Sequence, residues 1–215
     1  MESIKKIYKY EFPETCHYSD KEIIKLHDRS QLTRSPDGTY NKSEYDKYGN
    51  FIGNSILDQT YYPFQRKPSG LWYATKDSWM NRISFEAEPY YPYEGYLYET
   101  IIKNKINIYQ QCDINSVLVL RNLLELVAFY ETYKQKYNDL HYSFKQYING
   151  NHQRYSQIAR GSINWINVSK DYGGIEIPYP RFKGYDYLEH SNWFHNWDVA
   201  SGCVWNVSCV DIRLL

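Results

Sequence analysis

Val117-Leu118-Val119-Leu120 runs directly into Arg121-Asn122-Leu123-Leu124-Glu125-Leu126-Val127-Ala128-Phe129-Tyr130, and this junction decides the fold class. A short apolar run with two β-branched valines reads as a buried strand. From Asn122 to Tyr137 the period changes. Leu123, Val127, Tyr130 and Tyr137 recur at helical spacing, which predicts an amphipathic helix with a core-facing stripe. A buried strand that feeds a helix indicates mixed secondary structure, so the flanking sequence has to say how the strands are interleaved.

C-terminal to the junction, a helical stretch is expected over about residues 140–158, and a second from Trp165 to Tyr172, stopped by Gly173-Gly174. Ile175-Glu176-Ile177 then reads as a strand closed by Pro178. Gly202-Cys203-Val204-Trp205 and Val207 to Leu214 read as final strands. On the N-terminal side, Lys5 to His17 is strand-like. Ser19 or Asp20 is suited to cap a short helix, with Glu22 as capping-box partner and Ile23, Ile24 and Leu26 on one face. His17 is therefore expected where a strand hands over to a helix. Residues 33–55 form a polar stretch, read as a loop insertion. Lys67-Pro68-Ser69-Gly70 is a turn, Leu71-Trp72-Tyr73-Ala74 a strand, and Thr75 or Asp77 a cap for a helix through Trp79 and Ile83. Residues 88–96, rich in Tyr and Pro, read as an extended loop. Short strands separated by modest helices make an α+β pattern, taken as one domain over residues 1–215.

Composition removes several function classes. Lys and Arg total 25 and Asp and Glu total 25, so the chain has no surplus of positive charge for phosphate neutralisation. No apolar run has bilayer-spanning length and the N-terminus lacks an apolar signal region, which points to a cytoplasmic protein that does not enter a membrane. Cys16, Cys112, Cys203 and Cys209 include no CxxC pair, and the histidines no metal spacing, so neither a zinc site nor a disulfide scaffold is expected. The anomaly is aromatic content, 18% of the chain, with Tyr alone at 25 residues.

Three short segments share one design: His17-Tyr18-Ser19, Gly70-Leu71-Trp72-Tyr73-Ala74 with Ser78 behind it, and Gly174-Ile175-Glu176-Ile177. Each places a polar or aromatic residue on a short strand. Glu176 is the sharpest of them, because a carboxylate between two isoleucines either faces solvent from a sheet edge or is held in a cleft. Glu176, Asp198 and Asp171 are the candidates for a carboxylate pair, with nothing to fix their separation.

This combination resembles ADP-ribosyltransferases of the diphtheria-toxin and poly(ADP-ribose) polymerase type. His17 with Ser19 is similar to their first motif, Gly70 to Ala74 with Ser78 to their second, and Glu176 to their catalytic glutamate. The resemblance implies a split antiparallel sheet with peripheral helices. It also implies NAD as substrate without a metal, and an acceptor that is a protein, a nucleic acid or water. Catalysis would fall to Glu176, His17 and Tyr73, and NAD binding to His17, Ser19, Gly70, Trp72, Tyr73 and Ser78. Gly174 stands where arginine-directed members carry a second carboxylate, and Asp198 is the alternative acid. The chain also resembles phage and large-DNA-virus proteins that carry HYS, KPxGLW, GIxI-PY and WDxASGCxW motifs in this order, which implies a viral protein in a host cytoplasm. The alternative reading is a non-catalytic module that binds a sugar, nucleotide or peptide on an aromatic platform of Trp72, Trp193 and Trp197, or else a structural viral protein.

Overall fold

The computed structural model describes residues 14–19, 67–75, 96–139, 162–178 and 199–215, with isolated positions 23, 25, 26, 28, 30, 78, 145, 193, 194 and 197. Asp198, the polar stretch 33–55, the Tyr- and Pro-rich 88–95 and the helices expected near 20–26, 75–83 and 140–158 lie wholly or mainly outside them.

Eight strands form one sheet: β1 (Thr15–Ser19), β2 (Leu71–Thr75), β3 (Tyr96–Ile102), β4 (Lys105–Ile106), β5 (Asp113–Val119), β6 (Tyr172–Ile177), β7 (Ser201–Val204) and β8 (Val210–Leu214). Their spatial order is β4-β5-β6-β7-β2-β1-β3-β8. Among the described residues two helices accompany them, α1 (Leu123–Tyr133) and α2 (Trp165–Asp171). The architecture is α+β, as expected. The sheet is mixed rather than wholly antiparallel, because β4, β5 and β6 run parallel. Parallel neighbours need a crossover, and the β5–β6 connection contains α1 and α2.

The junction that opened the reading is borne out in kind and corrected in detail. Val117, Leu118 and Val119 belong to a strand that begins at Asp113. Asn122 caps α1, its side chain accepting from the Glu125 amide, and the helix ends at Tyr133. The buried face of α1 is Leu126, Phe129, Tyr130 and Tyr133, while Val127 is exposed, so the core stripe is rotated from the one expected. Gly173-Gly174 is not a helix stop. Tyr172 already has extended backbone and both glycines lie inside β6. They are there for close approach: a Cβ on Gly173 would collide with Cys209 Sγ and the Ile114 carbonyl, and one on Gly174 would sit 2.8 Å from the Cys203 carbonyl.

Each face of the sheet carries its own apolar cluster. On one face Leu118, Ile175, Ile177 and Cys203 pack with α1, α2, Trp193, Trp197 and Trp205. On the other, Tyr73, Val117 and Val204 pack with Cys209 and Val210. The tryptophans expected to form an exposed platform are in the first cluster. Trp193 and Trp197 are buried, and the half-buried Trp72 ring lies 4.8 Å from that of Trp197.

The sheet divides at β1. Its ladder with β2 consists of Thr15 opposite Thr75 and Cys16 opposite Ala74. Beyond that, His17, Tyr18 and Ser19 pair with Tyr98, Leu97 and Tyr96 of β3, while Leu71, Trp72 and Tyr73 pair with Val204, Cys203 and Gly202 of β7. The halves β4-β5-β6-β7-β2 and β1-β3-β8 are thus joined by a two-residue ladder and part on the His17 side.

Candidate functional site

Cross-strand register places one row of residues across three strands. Glu176 on β6 stands opposite Gly202 on β7, and Gly202 stands opposite Tyr73 on β2. Paired residues project to the same face, so Glu176 and Tyr73 point the same way with a strand between them. Gly202 leaves that gap open. A Cβ there would collide with Tyr73 Cζ and the hydroxyl oxygen and sit 2.8 Å from Cε1. The Tyr73 ring therefore lies over Gly202, and its hydroxyl donates to Glu176 Oε2 at 2.8 Å.

The third member comes from the sheet edge. Lys105 on β4 pairs with Val117, and Val119, two residues along β5 on the same face, pairs with Glu176. The lysine stem crosses β5, and its Nζ lies 2.7 Å from Glu176 Oε2 and 3.0 Å from Oε1. The Glu176 side chain is 5% exposed and that of Lys105 34%, so the ammonium is the solvent-facing part of a buried ion pair. Burial pushes the Tyr73 hydroxyl well above its ordinary value, and the Glu176 charge and the hydrogen bond to it push further in the same direction. Tyr73 thus stays protonated and donating. A buried carboxylate aimed by a phenol donor can stabilise positive charge developing beside it, once the ammonium that neutralises it is displaced.

His17 stands at the fork. Its Nδ1 lies 2.5 Å from the Trp72 carbonyl, in the part of the fork where β1 no longer pairs with β2. A carbonyl only accepts, so Nδ1 carries the proton. Cys16 is opposite Ala74, which sets His17 and Tyr73 in successive positions of the diverging strands on the same face. Ser19 is the last residue of β1. The Ser78 hydroxyl lies 3.5 Å from that of Thr75.

Trp72 goes elsewhere. It alternates to the helix side of the sheet, with the Lys67 ammonium 5.3 Å from its ring centroid and Trp197 on it. Gly70 is accounted for by packing, since a Cβ would sit 2.5 Å from the Val204 carbonyl and 2.7 Å from Cys203 Sγ. The three motif segments with described residues on β2, β6 and β7 thus interlock. Cys203 Sγ donates to the Pro68 carbonyl at 3.7 Å, Trp205 Nε1 to the Tyr172 carbonyl at 2.7 Å, and Trp197 Nε1 to the Ser201 carbonyl at 3.2 Å.

Asp171 is apart from Glu176, at the end of α2, where it accepts from the Tyr133 hydroxyl at 2.7 Å. Burial pushes both Tyr133 and its neighbour Tyr172 upward, and the Tyr172 hydroxyl accepts from Cys112 at 3.6 Å. Cys112 lines a shallow recess of mixed polarity with Asn104, Ile106, Gln110, Gln111, Asp113 and Ser116. Among the described residues no three His, Cys, Asp or Glu gather as metal ligands, and no helix is long and apolar enough to cross a membrane.

The two residues sequence reasoning missed are Lys105 and Gly202. Lys105 lies on a two-residue strand in a stretch given no element, and Gly202 was taken only as part of a final strand. Fold and site together define an α+β protein with a buried Tyr–Glu pair, ion-paired to a solvent-facing lysine, beside a forked sheet. Compared with family models, curated protein sequences and solved structures, the chain gives no significant match.

Proposed function

We propose that the chain binds NAD and breaks its nicotinamide–ribose bond, passing ADP-ribose to a protein or nucleic-acid acceptor or to water, as a viral protein acting in a host cytoplasm. The observation that carries this reading is the Glu176 carboxylate, 4% exposed and aimed by the Tyr73 hydroxyl across Gly202, on the face where His17 opens the fork. Cleavage sends the electron pair of the ribose C1′–N bond to the nicotinamide nitrogen and leaves positive charge on the ribose. The acceptor oxygen or nitrogen then bonds to C1′ and loses a proton.

Glu176 would stabilise the ribose cation electrostatically and hold the ribose hydroxyls. His17, with Nδ1 committed to the Trp72 carbonyl, would hydrogen-bond the ribose from the same face of the sheet. Tyr73 acts through Glu176 as a positioning residue, since its ring is fully buried and its hydroxyl engaged. Trp72, packed on Trp197, has a structural role. Gly174 opposite Val204 leaves no second carboxylate before Glu176, which favours acceptors other than arginine.

The test is incubation of the full chain with NAD, with chromatography for nicotinamide and for free or transferred ADP-ribose. Nicotinamide release by the wild type, slowed about a hundredfold or more in Glu176→Gln, is the expected result. Failure of the wild type either to bind or to consume NAD overturns the reading. One observation favours the second reading, a non-catalytic binding module: both Glu176 oxygens are already engaged, by Tyr73 and Lys105. In that case Glu176→Gln lowers the melting temperature and no NAD-dependent signal exists to lose.

A further inference from the structure

Resting on the NAD reading, we propose that Lys105 is the ligand for the dinucleotide's diphosphate, and that its ion pair with Glu176 is the resting position of that ammonium. Three features of the site converge on this. The first is electrostatic. A positive charge 2.7 Å from Glu176 Oε2 opposes a second positive charge developing on a ribose at the same carboxylate, so the ammonium must leave for Glu176 to act. The second is access. β4 is the outermost strand of its half of the sheet, two residues long, and the Lys105 side chain is a third exposed while its partner is enclosed. The ammonium can withdraw into solvent without unpacking the core, whereas the Glu176 carboxylate is enclosed.

The third feature is chemical complementarity. The incoming ligand carries two negative phosphates joined to the ribose that Glu176 must engage. A lysine on a flexible four-carbon stem exchanges one anionic oxygen for another and keeps its charge-assisted hydrogen bonds. Substrate binding and baring of the carboxylate then become one event. With no dinucleotide present, Glu176 is neutralised by Lys105 and held by Tyr73, which keeps a buried charge compensated. Among the described residues Glu176 is the partner of Lys105, whereas the neighbouring Lys103 is already engaged by Asp211 at 3.1 Å.

Calorimetric titration of the full chain with ADP-ribose, which keeps the diphosphate and lacks nicotinamide, tests this. Lys105→Ala is expected to weaken ADP-ribose binding about tenfold or more and to flatten its salt dependence, while Lys105→Arg retains most of it. Adenosine, which has no phosphate, should bind equally to both. Unchanged ADP-ribose affinity in Lys105→Ala, or an equal loss of adenosine binding, overturns the inference while NAD turnover by the wild type stands. If the wild type binds no ADP-ribose, the NAD reading falls and this inference with it.

Discussion

The Tyr73 hydroxyl reaches the Glu176 carboxylate at 2.8 Å by crossing an intervening strand at Gly202, the residue opposite both in the cross-strand register. A side chain at residue 202 would occupy the space the ring needs. Gly202→Ala is therefore expected to destabilise the fold by roughly 2–3 kcal/mol, an overpacking cost, in urea denaturation. In a Tyr73→Ala background the same substitution should cost much less. A double-mutant cycle without coupling would show that the ring and the glycine do not share that space.

Tyr73→Phe keeps the ring and removes the donor. Glu176 then retains Lys105 and loses its only described hydroxyl partner. A stability loss of about 1–3 kcal/mol is expected, because the acceptor is buried. Under the NAD reading this variant lowers kcat and leaves KM nearly unchanged, since the hydroxyl orients the carboxylate and does not touch the substrate. A rise in KM with kcat unaltered would place Tyr73 directly on the ligand.

Part of this site was legible in the sequence because its members are local signals. Glu176 between two isoleucines and Tyr73 on a short aromatic strand are read from neighbours a few residues away. What joins them is register. Tyr73 and Glu176 are 103 residues apart, and nothing near either one says that both stand opposite residue 202. Lys105 escaped for the same reason: its partner is 71 residues on, and a two-residue edge strand has no period to detect. Gly173-Gly174 misled because a glycine pair after a helical stretch marks a helix end as readily as close strand approach. The collision with Cys209 that decides between them is a tertiary fact. The parallel pairing of β4, β5 and β6 has no local signature either.

Adjacent residues on β2 serve opposite faces, and variants should separate them. Trp72→Ala removes a half-buried ring from Trp197 and from the Lys67 ammonium. A loss of roughly 2–4 kcal/mol in chemical denaturation is expected. ADP-ribose or NAD affinity, measured well below the melting temperature, should stay within about twofold, because the ring lies across the sheet from Glu176. A large affinity loss with native stability would return Trp72 to the ligand.

Cys209 gives the fold a titratable reporter on the same face as Glu176. Its side chain is fully buried over Gly173, and burial pushes the thiol from 9.0 up to about 11, with the Asp113 carboxylate adding to the rise. The native state therefore holds a proton that the unfolded chain releases, so this contribution to stability is complete below pH 9.0 and is lost as pH rises towards about 11. Urea midpoints across that window should fall with pH, and Cys209→Ala should flatten the fall while lowering stability throughout. Tyr73, Tyr133 and Tyr172 are raised for the same reason, so they add to the slope only above their ordinary value of 10.0. The thiol's share is thus isolated at the lower end of the window. Alkylation near neutral pH provides an independent check: Cys112 is exposed and Cys16, Cys203 and Cys209 are buried, so native protein should label at one thiol of four. Rapid labelling at Cys209 would mean that the turn Val207–Cys209 opens far more readily than its packing over Gly173 of β6 allows.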